Sequence, residues 1–242
     1  SDVCSSDLED TLAYCAESGL DAIELPVGSY PGAPFFDPAK VLGSVKEQNR
    51  IKSLVADHGL EISGLAVHGN PVHPAARHAK ADHVAFERAV KLAPKLGTDV
   101  VITFSGCPGG SKADKTPNWV TCAWPPDFAD ILKYQWDEVL VPYWAKQAKL
   151  CRKHGVRVAW EAHPGFCAYN PDTLIRLSER SMKASGLKGK PVLRESRSLA
   201  LLLAGDRPGR KRPRAGRGRA ALLRPRQGHR TQPASEIGRA HV

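Results

Sequence analysis

The feature that most constrains this chain is an alternation. Stretches with apolar residues at helical spacing give way, about every 35–50 residues, to short runs of consecutive apolar residues. DTLAYCAESGL has helical spacing and ends at a glycine suited to a C-cap, and DAIELPV follows as a strand. Residues 38–59 form an amphipathic helix ending in HGL, and EISGLAVHG is the next strand. Residues 79–97 are helical with Gly97 closing them, and DVVITFSG is a strand. The stretch from Asp127 to Gly155 is helical with a bend near Pro142, and RVAWEAHPG is the fourth strand. NPDTLIRLSER then opens a fifth helix, with Asn170 as N-cap and Pro171 at the first helical position.

Helix and strand in strict alternation predict an α/β fold with a parallel sheet, and uninterrupted apolar strands fit a sheet covered on its faces. Two architectures satisfy this pattern, an open doubly wound sheet and a (β/α)8 TIM barrel. No GxGxxG or Walker loop follows any strand, which counts against the nucleotide-binding doubly wound form. Polar residues stand where strands end: His68 after LAV, Ser105 and Gly106 after VITF, and Glu161 and His163 after RVAW. In either architecture the carboxyl ends of parallel strands face the active site, so these groups converge on one mouth.

Composition enters through its uneven distribution. The net charge of +10 and pI near 9.4 look like a nucleic-acid or membrane-surface signature. Residues 181–242, however, carry 16 Lys and Arg against three acids, whereas residues 1–180 carry 19 against 22 and sum to −3. The last aromatic residue is Tyr169, so the basic stretch lacks what a packed core requires and is expected to be a disordered tail. No apolar run reaches the roughly 18–20 residues of a membrane-spanning helix. The N-terminus shows no secretory pattern, and the six cysteines show neither CxxC nor regular spacing. Reduced thiols and a cytoplasmic location are the expectation, with no membrane partner.

Both ends carry a further signal. SDVCSSDL (residues 1–8) and EIGRAHV at the C-terminus look like translated sequencing adapters and are set aside from fold reasoning. ESRSLALLLAGDRPG permits codons that, shifted by one base, spell NLDPSHFFWQGIDPV. ALLRPRQGHRTQP permits a shifted reading containing HAKDTELN. The expectation is therefore residues 9–180 as a partial barrel of about four strands and five helices, and residues 181–242 as an out-of-frame stretch, with a frame slip near 181–194.

HGNPVHP, TFSGCPGGS, NWVTCAWPPDF and WEAHPGFCAYNPDTLIRL together resemble the sugar phosphate isomerase/epimerase family. This is the xylose isomerase-like barrel group that includes inosose dehydratases, tagatose-type epimerases and the endonuclease IV branch. The resemblance covers nearly all of residues 9–180. It implies a divalent metal (Mn2+, Mg2+, Co2+ or Zn2+) held by Glu, Asp, His and Glu from successive strand ends, with Glu161 at the first position. The Asp and His would sit in the shifted-frame strings DPSH and HAKD, so this chain is expected not to retain the metal, because one carboxylate cannot supply a near-octahedral site. The implied reaction is proton abstraction next to a carbonyl, or dehydration, on a sugar or cyclitol. A homo-oligomer is compatible with the complete protein.

Within that resemblance Glu161 is metal ligand and candidate base, and His163, two residues on, can bond a substrate hydroxyl. His68 and Asn70 can bond the far end of the substrate. His73 is expected to order its proline-flanked loop, and His78, His83 and His154 to be solvated. Trp136 and Trp144, eight apart on a helix, are expected to pack against the barrel, leaving Trp119 and Trp124 as loop residues that can stack on a sugar, with Trp124 assigned to substrate. Cys107 has no base partner in the sequence, which argues against a nucleophile. A nucleic-acid-binding arm in the basic tail is the alternative from another class. It lacks interleaved aromatics and offers only salt-sensitive, non-specific contact. An abasic-site nuclease would need more strand-end histidines than the body provides. The 242-residue polypeptide itself is expected to show no turnover and to aggregate through unpaired sheet edges.

Overall fold

The computed structural model describes residues 8–189 and 192–195. The chain opens with α1 (Leu8–Glu17), β1 (Ala22–Pro26), α2 (Pro38–Gly43), α3 (Val45–Asp57) and β2 (Glu61–Ala66). It continues with α4 (Ala76–Leu92), a 3-10 turn (Ala93–Leu96), β3 (Val100–Thr103) and α5 (Pro126–Lys133). A π-helical segment (Tyr134–Leu140), α6 (Val141–His154), β4 (Arg157–Trp160), α7 (Pro171–Ser185) and β5 (Leu193–Glu195) complete it. All strands are parallel and their order is β1-β2-β3-β4-β5.

That order settles the choice between the two architectures. Crossovers between parallel strands are right-handed, so an order that never reverses keeps every connecting helix on one face of the sheet. A doubly wound sheet needs a reversal, whereas a barrel wall does not. The five strands form part of such a wall, one more than the four expected, because a strand follows α7.

The core lies between that wall and the helices. Ile23, Leu25 and Val27 alternate inward from β1, and Leu65, Val67, Val101 and Val158 continue the layer on the neighbouring strands. Ile51 and Val55 of α3, Phe86 and Val90 of α4, Trp144 of α6 and Leu177 of α7 meet them. Fully burying such side chains contributes about 1.5–3 kcal/mol each. Trp144 stands edge-on to Trp160, with ring centroids 4.9 Å apart, and to Phe86 at 5.4 Å. Trp136 is also buried, with the Arg176 guanidinium 4.6 Å over its ring. Both helical tryptophans therefore pack as expected.

Local signals explain most boundaries. Gly97, Gly155 and Gly186 end their helices in the left-handed region. Asn170 and Thr173 cap α7 reciprocally. The single helix expected over 38–59 is two, because the Ser44 hydroxyl caps a fresh start by accepting from Glu47 N–H. The bend expected near Pro142 is a π-helical turn just before it: a proline without N–H cannot continue the ladder, which widens upstream. α7 runs through position 180, and β5 lies further on. The expected out-of-frame tail thus falls mainly on residues 196–242, which lie outside the described residues. No helix among the described residues is long and apolar enough to cross a membrane.

Candidate active site

Opposite the helix layer, the residues that alternate away from the core define the site. On β1 these are Ala22, Glu24 and Pro26, all half-buried. Parallel pairing brings the ends of β1 to β4 level, and the loops after them inherit that alignment. Glu161 follows β4, and its N–H donates to Thr103 O at 3.0 Å. His68 follows β2, and its carbonyl accepts from Tyr30 N–H at 2.8 Å.

These anchors bring together two groups 93 residues apart. His68 Nε2 donates to Glu161 Oε2 at 2.9 Å, the imidazole largely buried and the carboxylate one-third exposed. The hydrogen bond from His68 holds the Glu161 carboxyl below its usual range; burial opposes this, while the charges of His68 and His163 add to it. His68 packs on Phe104, with ring centroids 4.4 Å apart, and His163 packs on the same ring at 4.7 Å. Phe166 closes the group, 4.5 Å from Phe104 and 5.5 Å from His163. His163 Nδ1 donates to Pro164 O at 2.6 Å, which leaves Nε2 facing out from an exposed loop.

Glu24 is the residue that sequence inspection missed. Its Oε2 is buried and has no hydrogen-bond partner. Burial, and then the charge of Glu161, push its carboxyl up to about 7, with His68 opposing. The available signal was a lone carboxylate inside the apolar run AIELPV. The titrations of two carboxylates of one cluster are thus driven apart, Glu161 downward and Glu24 up to around neutrality. This is the pattern acid–base sites use.

The other proposed residues fall in different places. Asn70 is buried, and both ends of its amide bond Cys107: Nδ2 donates to Cys107 O at 2.8 Å and Oδ1 accepts from Cys107 N–H at 3.0 Å. Its backbone N–H donates to Asp82 Oδ2. The structure places Asn70 as a clamp between the β2 and β3 loops. Trp124 stands on the loop before α5, 74% exposed. Trp119 is closer to the site: its indole N–H donates to Phe166 O at 2.9 Å and its ring meets Tyr169 edge-on at 5.7 Å. His73 orders its loop as expected, accepting from Ala75 N–H at 2.9 Å. His83, expected to be solvated, is half-buried beside Glu87 and the Tyr143 hydroxyl.

The turn after β3 depends on a glycine. Gly106 has φ +89°, and a Cβ there would lie 2.5 Å from Val72 Cγ2 and 3.1 Å from Asn70 Oδ1. Two side chains hold this turn in place: Ser105 Oγ accepts from Ala168 N–H, and Ser105 O accepts from the Trp144 indole at 2.8 Å.

A divalent cation can be tested against these donors. Among the described residues no three His, Cys, Asp or Glu side chains gather closely enough to hold a metal ion. Glu161 already accepts from His68. The described residues alone do not fit a catalytic cation.

A strand-ordered wall with His and Glu at its carboxyl ends defines a (β/α)8-type barrel mouth. The chain belongs to the family described as xylose isomerase-like TIM barrel, which matches residues 12–184. An uncharacterized protein of Bacillus subtilis strain 168, YfiH, is 34% identical over 186 residues, covering 76% of this chain and 59% of YfiH. A xylose isomerase-like TIM barrel protein from Mycobacterium smegmatis, in complex with magnesium, shares the fold at a TM-score of 0.51 and 16% identity. That match covers 82% of this chain and 58% of the other. The chain thus spans about three fifths of the length of these relatives.

Proposed function

We propose that this chain is part of an isomerase, epimerase or dehydratase of sugars or cyclitols that moves a proton next to a carbonyl. The observation that carries the reading is the His68–Glu161 pair, with Glu24 beside it, at the strand ends of a xylose isomerase-like barrel wall. The reading includes a divalent metal (Mn2+, Mg2+, Co2+ or Zn2+) in the complete protein with Glu161 among its ligands, and the magnesium of the M. smegmatis relative supports this. The described residues do not supply the remaining ligands, so the roles that follow belong to this chain's own side chains.

His68 keeps Glu161 ionised and points it into the mouth, so that the carboxylate can take a proton from a bound substrate. Glu24 titrates around neutrality and, in its protonated form, serves as a hydrogen-bond donor to a substrate oxygen. His163 Nε2 bonds a hydroxyl, and the Phe104 and Phe166 rings keep water from that side. Asn70 acts by holding the Cys107 turn. Trp124 and Trp119 form the rim against which a sugar ring stacks.

The same reading takes residues 181–242 as read out of frame, with the slip near 181–194, on the support of the two shifted strings. A gene sequence lacking both strings overturns that part. The activity is tested with the product of the uninterrupted gene, offered ketoses and inososes in D2O with each divalent ion. Exchange of the proton next to the carbonyl, lost by 10²-fold or more in Glu161→Gln, is the expected result. Full exchange in that variant refutes the assignment, and Mn2+-dependent turnover by the 242-residue chain itself refutes its status as an incomplete enzyme.

A further inference from the structure

Beneath the candidate site two cysteines that the proposed reaction does not use lie side by side. Cys107, in the turn after β3, and Cys167, in the loop after β4, are both buried and both free. Cys167 N–H donates to Gly106 O at 3.0 Å, which fixes the two backbones next to each other. The two thiols share a hydrogen bond, and Cys107 Sγ also lies 3.6 Å from Pro108 O. Cys107 is further held by the Asn70 amide on both its N–H and its C=O.

We propose that Cys107 and Cys167 are a redox-active dithiol, which peroxide converts to a disulfide stapling the β3 turn to the β4 loop. The pairing is asymmetric. The hydrogen bond from Cys167 lowers the Cys107 thiol below its usual range, while Cys167 is held well above it. Cys107 therefore ionises more readily than Cys167, and its sulfur is the one that attacks. Its sulfur attacks one oxygen of hydrogen peroxide; an S–O bond forms, the O–O bond breaks, and the departing hydroxide takes a proton to become water. The Cys167 sulfur then attacks the sulfenic sulfur. An S–S bond forms, the S–O bond breaks, and the hydroxide leaves with the Cys167 proton as a second water. In total two thiols are oxidised by two electrons and one peroxide is reduced to two waters. The staple joins the segments that carry Phe104 and Phe166, whose rings pack on His163.

The test is a peptide map of the folded chain after hydrogen peroxide, with remaining thiols alkylated in denaturant before trypsin. Trypsin releases Cys107 in residues 96–112 and Cys167 in residues 158–176. The expected result is one linked species of these two peptides, lighter than their sum by two hydrogens and separated by dithiothreitol, with Cys15, Cys122 and Cys151 alkylated. Cys122→Ser keeps the linked species, and Cys107→Ser and Cys167→Ser each lose it. Recovery of both peptides alkylated or over-oxidised, or linkage of either to exposed Cys122, overturns the proposal from the wild-type map alone.

Discussion

Replacing Glu24 with Gln isolates the electrostatic cost of the candidate site. In the folded chain the Glu24 carboxyl is pushed up to about 7 from an ordinary value of 4.5. The folded state therefore holds a proton that the unfolded state releases over this window. Stability from this group is unaffected below pH 4.5, falls as pH rises to about 7, and is flat above. A shift of that size corresponds to about 3 kcal/mol, and solvent contact at this half-buried position brings it to roughly 1–3 kcal/mol. Gln has the same shape and does not titrate. Urea unfolding, followed through the buried Trp136, Trp144 and Trp160, is to be measured on both proteins at pH 4.5, 6 and 8. The stability of E24Q relative to wild type is expected to rise by roughly 1–3 kcal/mol between the first and last of these. Adding Glu161→Gln removes the secondary cause and shrinks the window without abolishing it, because burial is the larger cause. A difference between E24Q and wild type that is constant with pH refutes the buried, proton-holding carboxyl.

Gly106→Ala combines an unfavourable positive φ with a contact of 2.5 Å to Val72, and is expected to lower unfolding free energy by roughly 2–4 kcal/mol. Val72→Ala in the same chain should restore part of this loss, and a strictly additive pair of substitutions would contradict the steric account. Asn70→Ala leaves the buried Cys107 N–H and C=O without partners, so a loss of about 2–4 kcal/mol in denaturant melts is expected. An exposed Asn70 contributing only to substrate contact would show almost none of that loss.

Much of the fold was legible because its signals are local. The 3.6-residue and consecutive apolar patterns located all four long strands and the helices between them, and Gly97, Gly155 and Asn170 marked ends that short-range hydrogen bonding enforces. The break at Ser44 was also legible in principle, since Ser44 with Glu47 three residues on is a helix-start pattern inside an otherwise continuous amphipathic stretch. The π-helical turn was not. Pro142 announces a fault in the ladder, but the widened turn is held open by Gln135, whose Nε2 reaches the carbonyls of Pro108, Gly109 and Asn118. A partner 17–27 residues away leaves no local trace.

The site shows the same division more sharply. His68 and Glu161 were visible separately as polar groups at strand ends, but no spacing between residues 93 apart says that one donates to the other. That hydrogen bond is the largest influence on Glu161, whereas burial is the largest on Glu24. Burial alone raises both Glu24 and Glu161, and without a donor the two would compete for one proton. His68 breaks the tie by bonding Glu161, whose negative charge then pushes Glu24 further up. Asn70 shows the converse: it stands at a strand end like a ligand-binding group, and its amide also spans the N–H and C=O of Cys107, a fact set by how the β2 and β3 loops meet. Residue type and strand position thus specify which groups reach the mouth of the wall. Which of them stays ionised, and which turns inward as a clamp, is fixed only when the parallel register brings the loops together.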